Sequence, residues 1–208
     1  MPNLKFENNV IKETDASRIA GLDEAGRGAL AGPVVAAAVI LPLDSPERLQ
    51  QLDEVNDSKQ LTAQKRERLY PLIIANVISY GIGSIPASDI DEIGIIPATK
   101  LAMLTALEQL EPSADYLLID GRIRLKNIPL PQQSIIRGDS KSLSIAAASI
   151  LAKVARDQIM IALENQYPGY GFAWHKGYGT KYHRAAITRL GPTPQHRMSF
   201  SPLREPLV

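Results

Sequence analysis

No cysteine occurs among the 208 residues, which excludes disulfides, thiolate-bound zinc and iron–sulfur clusters. The longest apolar run, residues 29–43, is interrupted by Gly32, Pro33 and Pro42 and falls short of the ~18 residues a membrane span needs. The opening residues MPNLKFENNV are polar and lack the apolar core of a secretory signal. A soluble cytoplasmic protein with no membrane attachment is the expectation. Repeats, low-complexity tracts and long linkers are also missing. With 45% hydrophobic residues, the chain can fill one sizeable core. One domain over residues 1–208 is expected, with 167–208 wrapping or capping it.

Net charge is only +1, but the charge is unevenly spread. Residues 1–120 carry 10 Lys and Arg against 18 Asp and Glu, whereas residues 121–208 carry 13 against 4. A basic second half suits a polyanionic partner; two solvated faces that neutralise each other would read the same way.

The elements alternate as in a mixed sheet covered by helices. Residues 18–23, 34–41, 77–85, 116–120 and 134–137 read as strands, being β-branched or apolar runs bounded by glycine, proline or charge. Helices are expected from Thr62, where Pro71 should kink or end the helix, over 88–93, and from Pro97. Two more are expected over 143–166 and 181–190, the last closed by Gly191.

The stretch IAGLDEAGRGALAGPVVAAAVIL places Asp23 and Glu24 at the tip of an apolar strand, followed by Gly26, Arg27 and Gly28. Neighbouring side chains of a strand point to opposite faces, so both acids cannot face water if the strand is buried. Burying a carboxylate costs several kcal/mol unless a cation or hydrogen bonds compensate. The pair therefore suggests a metal site, although a charged hairpin turn would use the same residues. Asp120 ends YLLID and Asp139 follows SIIRG, each at a strand end, where ligands of open α/β sheets gather. Four such acids could hold magnesium, a hard cation that takes oxygen ligands and keeps several waters. Two ions ~3.5–4 Å apart can activate water and stabilise a phosphodiester's leaving oxygen.

In order, the blocks GLDEAGRGALAGPVVAAAVIL, NDSKQLT, LLIDG, RGDSKSLSIAAASILAKVARD, YGFAWHKGYGT and GPTPQHRMSF resemble bacterial ribonuclease HII, the type 2 ribonuclease H family, over residues 18–202. The resemblance implies an α/β ribonuclease H-like fold: a five-stranded mixed sheet flanked by helices, with a helical C-terminal segment beside a substrate groove. It implies hydrolysis of the RNA strand of RNA–DNA hybrids, and cutting 5′ of single ribonucleotides embedded in duplex DNA. Two divalent ions, Mg²⁺ or Mn²⁺, would serve, leaving 3′-hydroxyl and 5′-phosphate ends. Asp23, Glu24, Asp120 and Asp139 match the metal-binding catalytic acids. Gly26, Arg27 and Gly28 match the loop that senses the ribose 2′-hydroxyl through main-chain groups. Tyr178 matches the tyrosine at the ribonucleotide, and Lys59 a phosphate-contacting position. Ala29, Gln60 and Arg122 depart from the usual pattern, which bears on substrate affinity rather than chemistry. The extra amino-terminal domain of the sister ribonuclease HIII is not seen. A monomer is expected, with no obligate protein partner, and the tail SPLREPLV shows no docking motif.

Other residues have two readings each. His175, His183 and His196 lack metal-motif spacing and read as structural or phosphate-contacting. Trp174 and Phe172 could stack on bases or anchor the terminal segment. Lys153 and Arg156 could approach phosphate or face solvent, as could Lys176 and Lys181. Asp157 reads as structural, paired with an arginine. Two other functions use similar residues: a DNA-directed metal nuclease on the same fold, and a noncatalytic phosphate-binding module. GLDEAGRG lacks the lysine–serine/threonine ending of a Walker loop and the third glycine of a dinucleotide fingerprint, which weakens the latter.

Overall fold

The computed structural model describes residues 1–126 and 128–204; the end of the SPLREPLV tail lies outside them. Five strands form one sheet: β1 (Ile19–Ala25), β2 (Val34–Ile40), β3 (Ser79–Ile85), β4 (Tyr116–Asp120) and β5 (Gln132–Ile135), in the order β3-β2-β1-β4-β5. β1, β2 and β3 are antiparallel neighbours, while β4 and β5 run parallel to β1. This mixed pattern sends the carboxyl ends of β1, β4 and β5 to one edge, which gathers the acids.

Among the described residues there are eight α-helices: α1 (Lys5–Glu13), α2 (Pro46–Gln50), α3 (Ala63–Asn76), α4 (Ala87–Ile93), α5 (Ile95–Glu108), α6 (Leu143–Gln166), α7 (Phe172–His175) and α8 (Lys181–Leu190). Alternation along the strands divides the core in two. Ala20, Leu22, Ala36 and Ala38 pack against Ala102 and Met103 of α5. Ala37 and Val39 pack against Ala147, Ile150 and Leu151 of α6, with Leu69 and Ile73 of α3 behind. Each of the larger aliphatics here, fully buried, contributes roughly 1.5–3 kcal/mol, and each alanine methyl about 0.8 kcal/mol.

Glycines set how closely the helices approach. A Cβ on Gly21 would collide with the backbone of Ser144 and Ile145, and one on Gly81 or Gly83 with carbonyls of α5. Gly21 shares a face with Asp23, two residues on, so the approach that needs this glycine also covers the acid. Beyond α6, residues 170–203 build a further cluster on Phe172, Met160, Leu30 and Ile187. Backbone bonds stitch it to the loop after β1: Leu30 N–H donates to Gly177 O at 2.8 Å, Gly32 N–H to Gln195 O at 2.8 Å, and Arg197 N–H to Leu30 O at 2.8 Å.

Several local expectations change, and α2 and α7 were not expected. α3 runs on for five residues beyond Pro71, because the ring lies on the exposed side, where the carbonyl it leaves unpaired can meet water. β5 begins and ends two residues earlier than expected, since Arg137 turns into the left-handed region at φ 56°. α1 was not foreseen. It buries Val10 and Glu7, and Glu7 Oε1 accepts from Ser144 N–H at 3.0 Å and from the hydroxyls of Ser142 at 2.6 Å and Ser144 at 2.7 Å. A carboxylate at that helix N-terminus is favoured by its free N–H groups.

Candidate active site

At the edge where β1 and β4 end lies a cleft of about 200 Å³, lined by Asp23, Glu24, residues 25–28, Ser58, Lys59, Asp120, Ser149, Lys153 and Tyr178. A second hollow of about 380 Å³, lined by Asp57, Lys59, Gln60, Asp120, Arg137, Asp139 and Ser140, shares Lys59 and Asp120 with it. The two form one groove across the acidic end of the sheet. Of the acids expected from the sequence, three share the cleft and Asp139 stands in the adjoining hollow.

Asp23 is 3% exposed, and its Oδ1 accepts from Glu24 N–H at 2.7 Å. Burial, and then the charges of Glu24 and Asp120, hold its carboxyl well above the usual carboxylate range. Glu24 is also raised, by burial first, against the pull of Arg27, whose Nη1 donates to Oε1 at 3.1 Å. Its other oxygen, Oε2, is buried with no hydrogen-bond partner. Asp120 is raised by burial and then by Asp139, while its Oδ1 accepts from Gly138 N–H at 2.6 Å. That bond fixes the turn that presents Asp139.

Lys59 reaches in from the opposite wall, its Nζ 2.9 Å from Asp139 Oδ2. Burial works to lower its pKa, but the Asp139 hydrogen bond and the charges of Asp23 and Asp139 prevail and raise it. Its short 3₁₀ turn is held in place by several bonds. Lys59 N–H donates to Asp57 Oδ1 at 2.9 Å, Ser58 N–H to Ser149 Oγ at 3.3 Å, and Arg66 Nη1 to Ser58 O at 2.8 Å. Asp157 supports this wall through Lys153 at 2.7 Å and Arg66 at 3.8 Å, the arginine pairing expected of it. Gln60, at a departure from the family pattern, donates Nε2–H to Asp57 Oδ2 at 3.2 Å.

The donor set suits a hard cation. The candidate ligands are all carboxylate oxygens; Asp23, Glu24 and Asp120 have raised pKa values, and the Oε2 of Glu24 is buried without a donor. The acids do not close a cage as they stand: no group of three or more His, Asp or Glu side chains is pre-set to hold a metal among the described residues. Arg27 and Lys59 engage two of the four carboxylates instead, so a cation would compete with these two side chains.

The 26–28 loop is set by two buried arginines that the sequence reading did not single out as loop supports. Arg156, read as phosphate-contacting or solvated, is 0% exposed. It donates to Pro33 O at 2.9 Å, Ala31 O at 3.1 Å and Lys176 O at 2.9 Å, and its guanidinium lies 5.5 Å from the Tyr178 ring centre. Gly26, at φ 91°, has no room for a Cβ beside this side chain. Arg197, also 0% exposed, donates to Gly32 O at 2.8 and 3.0 Å and to Arg27 O at 3.0 Å. Burial, and then Arg156, push its pKa down to about 9. The Arg27 carbonyl therefore faces inward. Across a trans peptide the N–H of Gly28 faces the other way, and it finds no acceptor among the described residues.

His183 and His196 are held by hydrogen bonds within the fold. His196 Nδ1 accepts from Thr193 N–H at 2.8 Å, His183 Nε2 lies 3.1 Å from His196 Nε2, and His183 Nδ1 lies 3.0 Å from Tyr178 O. Since His196 Nδ1 accepts, its Nε2 carries the hydrogen, and His183 Nδ1 must then donate to Tyr178 O. Burial pushes both pKa values down to about 4. Phe172 is fully buried, but Trp174 is 76% exposed, so the two aromatics part company.

These features describe an α/β protein with a carboxylate-floored groove beside a main-chain loop and an aromatic wall. A family model described as Ribonuclease HII matches residues 20–202. A protein of Chloroflexus aggregans named Ribonuclease HII is 56% identical over 204 residues, covering 98% of this chain and 95% of its own. The crystal structure of ribonuclease H2 from Pyrococcus horikoshii superposes with a TM-score of 0.76 at 26% identity, covering 90% of this chain and 96% of that one. The ribonuclease HII of Archaeoglobus fulgidus, solved as a complex with PCNA, gives 0.72 at 25% identity, covering 88% and 95%. The chain belongs to the ribonuclease HII family.

Proposed function

We propose that the protein is an endonuclease that hydrolyses the RNA strand of RNA–DNA hybrids and cuts 5′ of a single ribonucleotide in duplex DNA, leaving 3′-hydroxyl and 5′-phosphate ends. The observation that carries this reading is the placement of three acids and the inward-locked 26–28 loop around one cleft. Asp23, Glu24, Asp120 and Asp139 would hold two divalent ions, Mg²⁺ or Mn²⁺. When bound, such ions supply activation of water and stabilisation of the departing 3′-oxygen.

The chain's own groups do the rest. The outward N–H of Gly28 offers a donor to the ribose 2′-hydroxyl, the group that separates RNA from DNA. Tyr178, 39% exposed at the cleft wall, packs its ring on the neighbouring sugar. Lys59 attracts a phosphate and neutralises Asp139 until substrate and cations take its place. The basic segment after residue 167, which brings Tyr178 to the cleft, would form the far side of the groove, and the cytoplasm is the expected setting.

The test offers two duplexes, one with a single embedded ribonucleotide and one all-DNA twin, each with and without Mg²⁺. Cleavage only of the first, only with Mg²⁺, and on the 5′ side of the ribonucleotide is expected. Equal cutting of the twin would refute the reading.

A further inference from the structure

Trp174 is the chain's only tryptophan and is 76% exposed, beside Tyr182 at 47% exposed. Their ring centres lie 5.4 Å apart with planes tilted by 58°. An indole this open makes no use of its apolar area in the fold, and an exposed aromatic pair on a rigid support is a recognition feature. The support is rigid: Trp174 N–H donates to Gly171 O at 3.0 Å, Phe172 beneath is fully buried, and Thr180 Oγ1 caps the turn carrying Tyr182, accepting from His183 N–H at 3.2 Å.

The pair is joined through the backbone to a residue that lines the groove. Tyr178 lines the cleft, and its N–H donates to His175 O at 3.0 Å, so Trp174 and Tyr178 sit on the same tight turn. The segment itself is basic: residues 165–204 contain six Lys and Arg and no Asp or Glu, of which Arg197 is buried, and the one acid beside the pair, Glu164, is held by Ala173 N–H at 3.3 Å. An apolar pair of mutually tilted rings inside a basic segment matches a surface that alternates phosphates with sugar faces.

We infer that Trp174 and Tyr182 form a platform that packs against the sugars of the duplex arm running past Tyr178, gripping nucleic acid beyond the cut site. This rests on the nucleic-acid substrate proposed above. The basic side chains hold the phosphates, while the rings supply contact that salt does not screen.

The single tryptophan makes the test direct. Acrylamide quenching of its fluorescence is measured in Ca²⁺ on the free protein, and then with a duplex bearing one ribonucleotide and long arms, and with two versions shortened at one arm or the other. Access should fall about threefold with the long-armed duplex and recover when one particular arm is removed. Trp174→Ala should raise KM about tenfold on the long-armed duplex, the effect of losing one aromatic contact. Trp174→Phe should recover most of that loss, and the arm-shortened duplex should not distinguish the variants. An indole equally accessible in the complex would overturn the platform, as would an alanine variant that binds every duplex as the parent does. Protection that grows with protein concentration in the absence of duplex would assign the surface to a second copy and overturn it too. The same samples then receive Mg²⁺. Cleavage with an accessible indole refutes the platform and spares the substrate reading, whereas a covered indole without cleavage refutes the substrate reading and supports the platform.

Discussion

Asn in place of Asp23 should stabilise the fold while removing its chemistry. The parent carboxylate is 3% exposed, and burial and two neighbouring acids hold its pKa well above the usual range. Each unit of that elevation costs the ionised form about 1.4 kcal/mol. Asn keeps the shape and the Oδ1 that accepts from Glu24 N–H, so only charge is lost. In chelator at neutral pH, Asp23→Asn should therefore gain on the order of 1–3 kcal/mol, or about 2–12 °C in Tm for a chain of this size. The folded-state pKa lies above the unfolded one, so the penalty is absent below the unfolded value and appears as pH rises through the folded one. The gain should accordingly vanish towards about pH 4. Melting curves over pH in chelator, with single-turnover cleavage in Mg²⁺, test both halves. A variant that melts lower than the parent at neutral pH, or that still cleaves normally, would refute the reasoning.

Tyr178→Ala should lose most cleavage at a lone ribonucleotide and less on a long hybrid, with Tyr178→Phe in between; equal single-turnover rates would return the residue to packing. Lys59→Ala should weaken binding to all duplexes alike and flatten the salt dependence of affinity, without moving the cut site mapped on a gel. Arg197→Met should leave the Gly32 and Arg27 carbonyls without their donor and free the 27–28 peptide to turn. Discrimination between the ribonucleotide duplex and its all-DNA twin should fall about tenfold or more, the scale of one lost substrate hydrogen bond. His183 and His196, with pKa values depressed to about 4, contribute stability present above the unfolded value near ~6.5 and lost as pH falls towards the folded one. Tm should drop across that window, and a double His183→Gln, His196→Gln variant should show a shallower drop.

Much of this molecule was legible along the chain because its signals are local. The apolar runs before Asp23 and Asp120 read as buried strands, and an acid at the end of each suggested a shared charged edge. Ordered blocks then carried the family and nominated the four acids as candidate ligands. The partnerships depended on tertiary structure, because they join residues far apart in the chain. Arg156 looked like a surface cation, until the approach of α6 to the sheet and the wrapping of residues 170–203 closed three backbone carbonyls around it. Arg197 reaches Arg27 from 170 positions away. α1 was invisible because it is a short, mostly polar helix, held by one buried glutamate capping a distant helix. Phe172 and Trp174, two residues apart, received the same reading from composition; the direction of a four-residue helix, α7, buried one and left the other in solvent.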